Sequence, residues 1–220
     1  MTSVNTPTCS RFAKPERTRE EWEELAREVK AYEAEQAEMR RMQRAISARI
    51  PKRFRDARLT PDCELLMWVQ NPTDGIVLTG GIGIGKTWTA CAVMQAYMDW
   101  WKCSGKFVTA AEYVQLCREF EGHFAEEYFS CGILVLDDLG KESPTRFATE
   151  RIFDLIDRRH ANCRKTIITS NYSARSLMER MVTEDDDTVA AKAFMSRLSR
   201  FTFAPMSGID KRKEGRSDGE

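Results

Sequence analysis

The first regular pattern along the chain is helical. Between Arg17 and Ile50 there is neither proline nor glycine, and Trp22, Leu25, Val29, Tyr32, Gln36, Met39, Gln43, Ile46 and Ile50 recur at alternating steps of three and four. Such a heptad seam turns one side of a helix toward a single neighbour. Pro51 lacks a backbone donor and disfavours helical geometry in the residue before it, so the helix is expected to close there. Thr60 and Pro61 then read as an N-cap and a first helical position, opening a short helix through CELLMWVQ.

From Gly75 the period changes. Short β-branched or apolar runs at 76–79, 106–109, 133–137, 166–169 and 201–204 alternate with helical patterns at about 86–102, 110–121, 145–160, 173–182 and 189–199. This alternation predicts an α/β fold, a five-stranded and mainly parallel sheet covered by helices on both faces. The Thr-, Ser- and Pro-rich start, the acidic loop at 183–188 and the charged tail after Gly208 carry no core pattern and are expected to be mobile. The organisation expected is a disordered start at 1–15, a helical segment with linker at 16–58, an α/β domain at 59–208 and a charged tail at 209–220. No internal repeat is visible.

Composition narrows this picture in three ways. With 220 residues the chain holds one full α/β domain and a short appendage, not two such domains. Lys+Arg 34 against Asp+Glu 34 gives zero net charge, so contact with nucleic acid would depend on local clustering. Charge is lopsided along the first helix: Glu20, Glu21, Glu23, Glu24, Glu28, Glu33, Glu35 and Glu38 precede Arg40, Arg41, Arg44, Arg49, Lys52, Arg53, Arg55 and Arg58. Its seam is filled either by its own domain or by a partner, and periodicity does not decide whose surface it meets. The seven cysteines form no CxxC pair and the two histidines do not cluster with them, so no zinc site is expected, and scattered thiols fit a reducing compartment. No apolar run approaches the roughly 18–20 residues that cross a bilayer, and the expectation is a soluble cytoplasmic protein with no membrane contact.

Three segments carry chemistry. Gly80, Gly85, Lys86 and Thr87 satisfy G-x-x-x-x-G-K-[ST], with a strand pattern before them and a helical pattern after. Glycines let backbone amides wrap phosphates at a helix N-terminus, where the aligned peptide dipoles favour an anion. The stretch Gly80, Gly81, Ile82, Gly83, Ile84, Gly85, Lys86, Thr87 and Trp88 is therefore the candidate contact for ATP or ADP. Lys86 supplies charge to the β/γ-phosphates and Thr87 a hydroxyl for Mg²⁺. ILVLDDLG at 133–140 reads as a buried parallel strand delivering two acids at its C-terminal end, the edge where open α/β sheets bind ligands. Asp137 is the candidate Mg²⁺ ligand and Asp138 the group that orients the attacking water, against the simpler reading of an Asp-Asp turn; Glu142 is either a further carboxylate of the site or a surface residue. TIITSN at 166–171 is a second buried strand ending in small polar groups, with Asn171 placed to reach a γ-phosphate or its water, although Ser-Asn after a strand is also ordinary turn chemistry. MSRLSR sets Arg197 and Arg200 three apart, either a solvated basic face or a source of an arginine for a neighbouring subunit's phosphate.

Taken together these motifs resemble the DnaC/IstB-type AAA+ ATPases, a family of bacterial and phage helicase loaders and of ATPase helpers of transposition. The resemblance covers about residues 50–213 and runs in the family's order: IPKRFRDARL, GIVLTGGIGIGKT, KFVTAAEYVQLCREF, ILVLDDLGKE, IDRRH, TIITSNYS, MSRL and SGIDKR. It implies that Lys86 and Thr87 are Walker A, Asp137 and Asp138 Walker B, Asn171 sensor 1, Arg197 an arginine finger and Arg212 a sensor 2 arginine. Many relatives carry Glu at the place of Asp138, a departure compatible with a slow, switch-like ATPase. The family also implies assembly into homo-oligomers through its AAA+ interfaces. For a helicase loader it implies a grip on the replicative DNA helicase through the N-terminal helix and single-stranded DNA contacted by Arg118 and Phe120, which otherwise read as a surface arginine and a core ring. The competing expectations are an ATPase helper of transposition, which would wrap duplex DNA and be more basic, and, more remotely, a P-loop kinase or GTPase. Guanine specificity lacks its usual NKxD here. A non-catalytic adaptor with a vestigial loop is disfavoured by the full set of phosphate and metal ligands.

Overall fold

The computed structural model describes residues 17–61, 63–120, 125–143, 145–181 and 194–208. Arg212 and the acidic loop at 183–188 lie outside the described residues. The chain divides into two units with their boundary between Arg40 and Arg41.

The first unit is helical, built on α1 (Arg19–Ser47), which carries the boundary. Thr18 starts it with a reciprocal cap: its hydroxyl accepts from the Glu21 amide at 3.3 Å, and the Glu21 carboxylate accepts from the Thr18 amide at 2.7 Å. Of the expected seam, Trp22, Val29, Tyr32 and Met39 stand exposed. The Arg17 guanidinium lies 5.3 Å from the centre of the Trp22 ring.

In the second unit, α1 ends at Ser47, short of Pro51. Arg49 takes a left-handed conformation at φ 60°, its amide bonds back to Ile46 at 2.9 Å, and the Ile50 amide reaches Ala45 at 3.0 Å. This pair of reverse bonds is the Schellman closure, which satisfies the last carbonyls before the proline is reached. The expected 16–58 segment is thus divided. Ala45, Ala48, Ile50 and Ala57 are buried in the core of the second unit, and Arg44 and Arg41 pair with Asp99, the latter at 3.8 Å.

A 3₁₀ turn at Lys52–Phe54 leads to α2 (Glu64–Gln70), then β1 (Gly75–Thr79), α3 (Lys86–Trp101), β2 (Gly105–Thr109), α4 (Ala110–Glu119), α5 (Glu126–Ser130) and β3 (Ile133–Leu139). After these come α6 (Arg146–Ala161), β4 (Lys165–Ser170), α7 (Ala174–Met181), a helical turn at 194–198 and β5 (Thr202–Pro205). Thr109 and Thr145 cap α4 and α6 with their hydroxyls. The sheet order is β2-β3-β4-β1-β5, every pair parallel. The strands fall where the sequence pattern puts them, whereas α5 and the 3₁₀ turn, each under two turns long, leave too short a period to read.

Because alternate residues of a strand face opposite sides, Ile76, Leu78, Val135 and Ile167 join α2, α3 and residues 45–57 on one side of the sheet. Val77, Leu134, Leu136 and Ile168 join α4, α5, α6 and Phe194 on the other. One buried group in this second layer is charged. Arg159, with no exposed surface, donates to the carbonyls of Tyr128 at 2.6 Å, Cys131 at 3.0 Å and Lys165 at 2.6 Å, and to the Thr166 hydroxyl at 3.0 Å. It ties α6 to the N-terminal ends of β3 and β4. The C-terminal ends of those strands are thereby left to carry chemistry. Among the described residues no helix is long and apolar enough to cross a membrane.

Candidate nucleotide-binding site

Parallel strands place their C-terminal ends along one edge, and the candidate residues gather there. The loop between β1 and α3 takes positive φ at Gly80 (146°), Gly83 (82°) and Gly85 (97°). A side chain at Gly80 would meet the Met206 carbonyl at 2.3 Å, and the Met206 amide bonds to Thr79 at 2.7 Å, so the segment after β5 buttresses the loop's start. At Gly85 nothing stands within 4 Å of an added Cβ. The first bond of α3 runs from Thr89 to Gly85 at 2.9 Å, so the amides of Thr87 and Trp88 precede the helical ladder and lie at its positive end. This open, amide-lined cradle suits a phosphate chain. Lys86 is almost fully buried, its ammonium held by the carbonyls of Gly80 at 2.9 Å and Gly81 at 2.6 Å, which aims the charge along the loop.

Beside the loop, the Thr87 hydroxyl donates to one oxygen of Asp137 at 3.2 Å, and the Thr169 hydroxyl donates to the other at 2.7 Å. Burial pushes the Asp137 carboxyl above its ordinary range. The Thr169 hydrogen bond pulls it down, the neighbouring Asp138 charge pushes it up, and Thr87 and Lys141 lower it. A buried carboxylate next to a threonine hydroxyl is a hard-oxygen donor pair of the kind Mg²⁺ takes. Asp138 takes a left-handed conformation at φ 60°, and its carboxylate accepts from the Lys141 ammonium at 2.6 Å. Glu142 is not a surface residue. Its carboxylate accepts from the Gly140 amide at 2.8 Å, and burial raises it above the usual range despite the bonds from its own and the Gly140 amide and the Arg180 charge.

These groups border a cavity of about 350 Å³ lined by the glycine loop, Lys86, Thr87, Trp88, Asp138 and Asn171. Five lining residues were not singled out as site residues from sequence: Arg53, Phe54, Thr89, Lys141 and Met206. Of these, Arg53, Phe54 and Lys141 lie in segments marked by resemblance, and nothing in their local pattern points to a pocket. Arg197 stands elsewhere, half-exposed, with its guanidinium on Asp157 of α6 at 2.7 Å, and Arg200 lies 4.0 Å from Asp74. Arg118 lies over the Phe147 ring at 5.4 Å, and Phe120, at the end of α4, is exposed rather than in the core.

A glycine loop cradling a helix N-terminus, an acidic strand end behind it and an asparagine beside it define a P-loop ATP-binding protein of the AAA+ class. The family model described as IstB-like ATP binding protein matches residues 21–208, and the chain belongs to that family. Among solved structures, the crystal structure of the DnaC helicase loader superposes with a TM-score of 0.60 at 22% identity, covering 71% of this chain and 100% of that one. The DnaI crystal structure gives 0.62 at 18% identity, covering 74% and 94%. Domain III of the replication initiation protein DnaA from Thermotoga maritima gives 0.54 at 16%, covering 67% and 61%. These likenesses concern the fold. No curated protein matches the chain.

Proposed function

We propose that this protein is a slow ATPase whose nucleotide state governs assembly, and that it loads a replicative DNA helicase onto single-stranded DNA. The observation that carries the ATPase reading is the Thr87 and Asp137 oxygen pair set directly against the phosphate loop. Thr87 and Asp137 would hold Mg²⁺ there, and the ion would supply charge neutralisation to the phosphates. Lys86 exchanges its carbonyl partners for phosphate oxygens, Asp138 orients the attacking water once Lys141 yields, and Asn171 donates to the γ-phosphate or that water. Arg197 serves a neighbouring copy: it lies outside this chain's cavity, on a planar fork already oriented by Asp157. Arg212 is assigned to the same nucleotide as a sensor.

The loader reading is supported by the first unit, a helix rich in acids with an exposed apolar seam, which is the form of a partner-binding element. It is also supported by the likeness to a structure described as a helicase loader. Arg118 and Phe120, both exposed at the end of α4, supply a cation and a ring for single-stranded DNA. A second reading, an ATPase helper of transposition, is supported by membership in the IstB-like family together with the resemblance, which includes such helpers. Mass measurement of the protein mixed with replicative helicase, under ATP and under ADP, separates the two, alongside ATP turnover with and without single-stranded DNA. A nucleotide-dependent complex with helicase is the expected result. Its absence, with duplex DNA stimulating turnover more than single strands, sinks the loader reading in favour of transposition.

A further inference from the structure

We infer that Thr169 is a positioning residue that sets both Walker B carboxylates through one hydroxyl. The inference rests on the proposed ATP and Mg²⁺ reading of the site. The pairing of β3 with β4 runs Leu136 to Ile168 and then Leu139 to Ser170, so two residues, Asp137 and Asp138, stand opposite the single residue Thr169. This is a bulge, and it has a purpose readable from strand geometry. In an unbroken strand Asp137 and Asp138 would project to opposite faces of the sheet. With Asp138 at φ 60°, Asp137 meets Thr87 while Asp138 lines the cavity, so both acids serve one edge.

A bulge leaves a backbone amide without its ladder partner. Here the Asp138 amide donates to the Thr169 hydroxyl at 2.9 Å, and that hydroxyl spends its single proton on Asp137 at 2.7 Å. The side chain is fully buried, and the two bonds form one continuous path from the Asp138 backbone to the Asp137 carboxylate. With one Asp137 oxygen held from β4, the other is the one presented to Thr87 and the loop. Outer partners that orient a metal-binding carboxylate typically change metal affinity or activity about ten- to a hundredfold when removed.

The test uses Thr169→Val, Thr169→Ala and Thr169→Ser in the full chain. A fluorescent non-hydrolysable ATP analogue is bound first in EDTA and then across a Mg²⁺ titration, with turnover measured in parallel. Val and Ala are expected to leave affinity in EDTA within about twofold of wild type, and to raise the Mg²⁺ concentration for half-maximal effect about tenfold or more. Ser, which keeps the hydroxyl, is expected within about threefold of wild type. Should the Val variant fail to fold, the Ser and Ala pair, differing only in the hydroxyl, carries the same comparison. Val and Ala variants with wild-type Mg²⁺ dependence, or a Ser variant as impaired as Ala, overturn the assignment while leaving the site reading intact. A wild-type chain whose nucleotide binding ignores Mg²⁺ overturns both.

Discussion

Arg159 offers the most direct test of how the fold holds its functional edge. Replacing it by Met keeps most of the buried volume and removes the guanidinium. Three short bonds to the carbonyls of Tyr128, Cys131 and Lys165 are lost. A buried acceptor left without a partner costs about 1–3 kcal/mol, so the gross loss is roughly 3–9 kcal/mol. Part is returned, because a buried guanidinium pays several kcal/mol of desolvation, the same burial that lowers the affinity of Arg159 for its proton. The net destabilisation expected is about 3 kcal/mol, which for a chain of this size lowers the thermal midpoint by about 6–12 °C. Circular dichroism melts of wild type and Arg159→Met measure it, with nucleotide affinity at low temperature as the control. Affinity is expected to stay within about threefold, since the guanidinium braces the ends of β3 and β4 remote from Asp137 and Asn171. A midpoint within about 2 °C of wild type would show that the carbonyls find other partners and that the brace is dispensable.

Lys86→Ala should weaken ATP binding at least about a hundredfold in a fluorescence titration, because a charged contact to phosphate is lost and only the amide cradle remains. Binding near wild-type strength would remove Lys86 from the phosphate site. Arg197→Ala should bind ATP as wild type does yet lose oligomer-dependent turnover by roughly a thousandfold, and undiminished turnover ends its assignment as a finger. Glu142→Gln tests the buried carboxylate. Since burial raises this group above its ordinary value of 4.5, the folded chain holds the proton more tightly than the unfolded one. Wild type therefore loses stability as pH rises from about 4.5 through the folded value. The Gln variant, whose side-chain oxygen still accepts from Gly140, should gain relative to wild type as urea midpoints are compared from pH 4 to pH 8. A pH-independent difference contradicts the burial argument.

Much of the architecture was legible because it rests on local pattern. The apolar strands IVLT, ILVL and TIIT and the amphipathic runs between them have clear periods, and the glycine loop requires backbone conformations that only glycine supplies cheaply. Helix ends were less readable. Arg49 closes α1 in a left-handed turn usually given to glycine, so attention to Pro51 misplaced the stop. Within the stretch expected to hold a helical segment and linker at 16–58, Ala45, Ala48, Ile50 and Ala57 bury in the core with α3 and the sheet, and such residues in a charged stretch give no sign of which surface they meet. IDRRH resembles a family motif without revealing its work, since the carbonyls that Arg159 holds come from residues up to thirty-one positions away.

From the sequence alone came the α/β class, the parallel sheet, the phosphate loop and the acidic strand end, because each depends on residues adjacent in the chain. Tertiary structure decided which groups share the cavity. Phe54 and Met206, from opposite ends of the second unit, meet the loop only because β1 lies between β4 and β5 and the residues after α1 fold across α3. It also decided that Asp137 and Asp138 serve one edge. That depends on a bulge closed by Thr169, thirty-two residues from Asp137, and strand register is a property of two segments together.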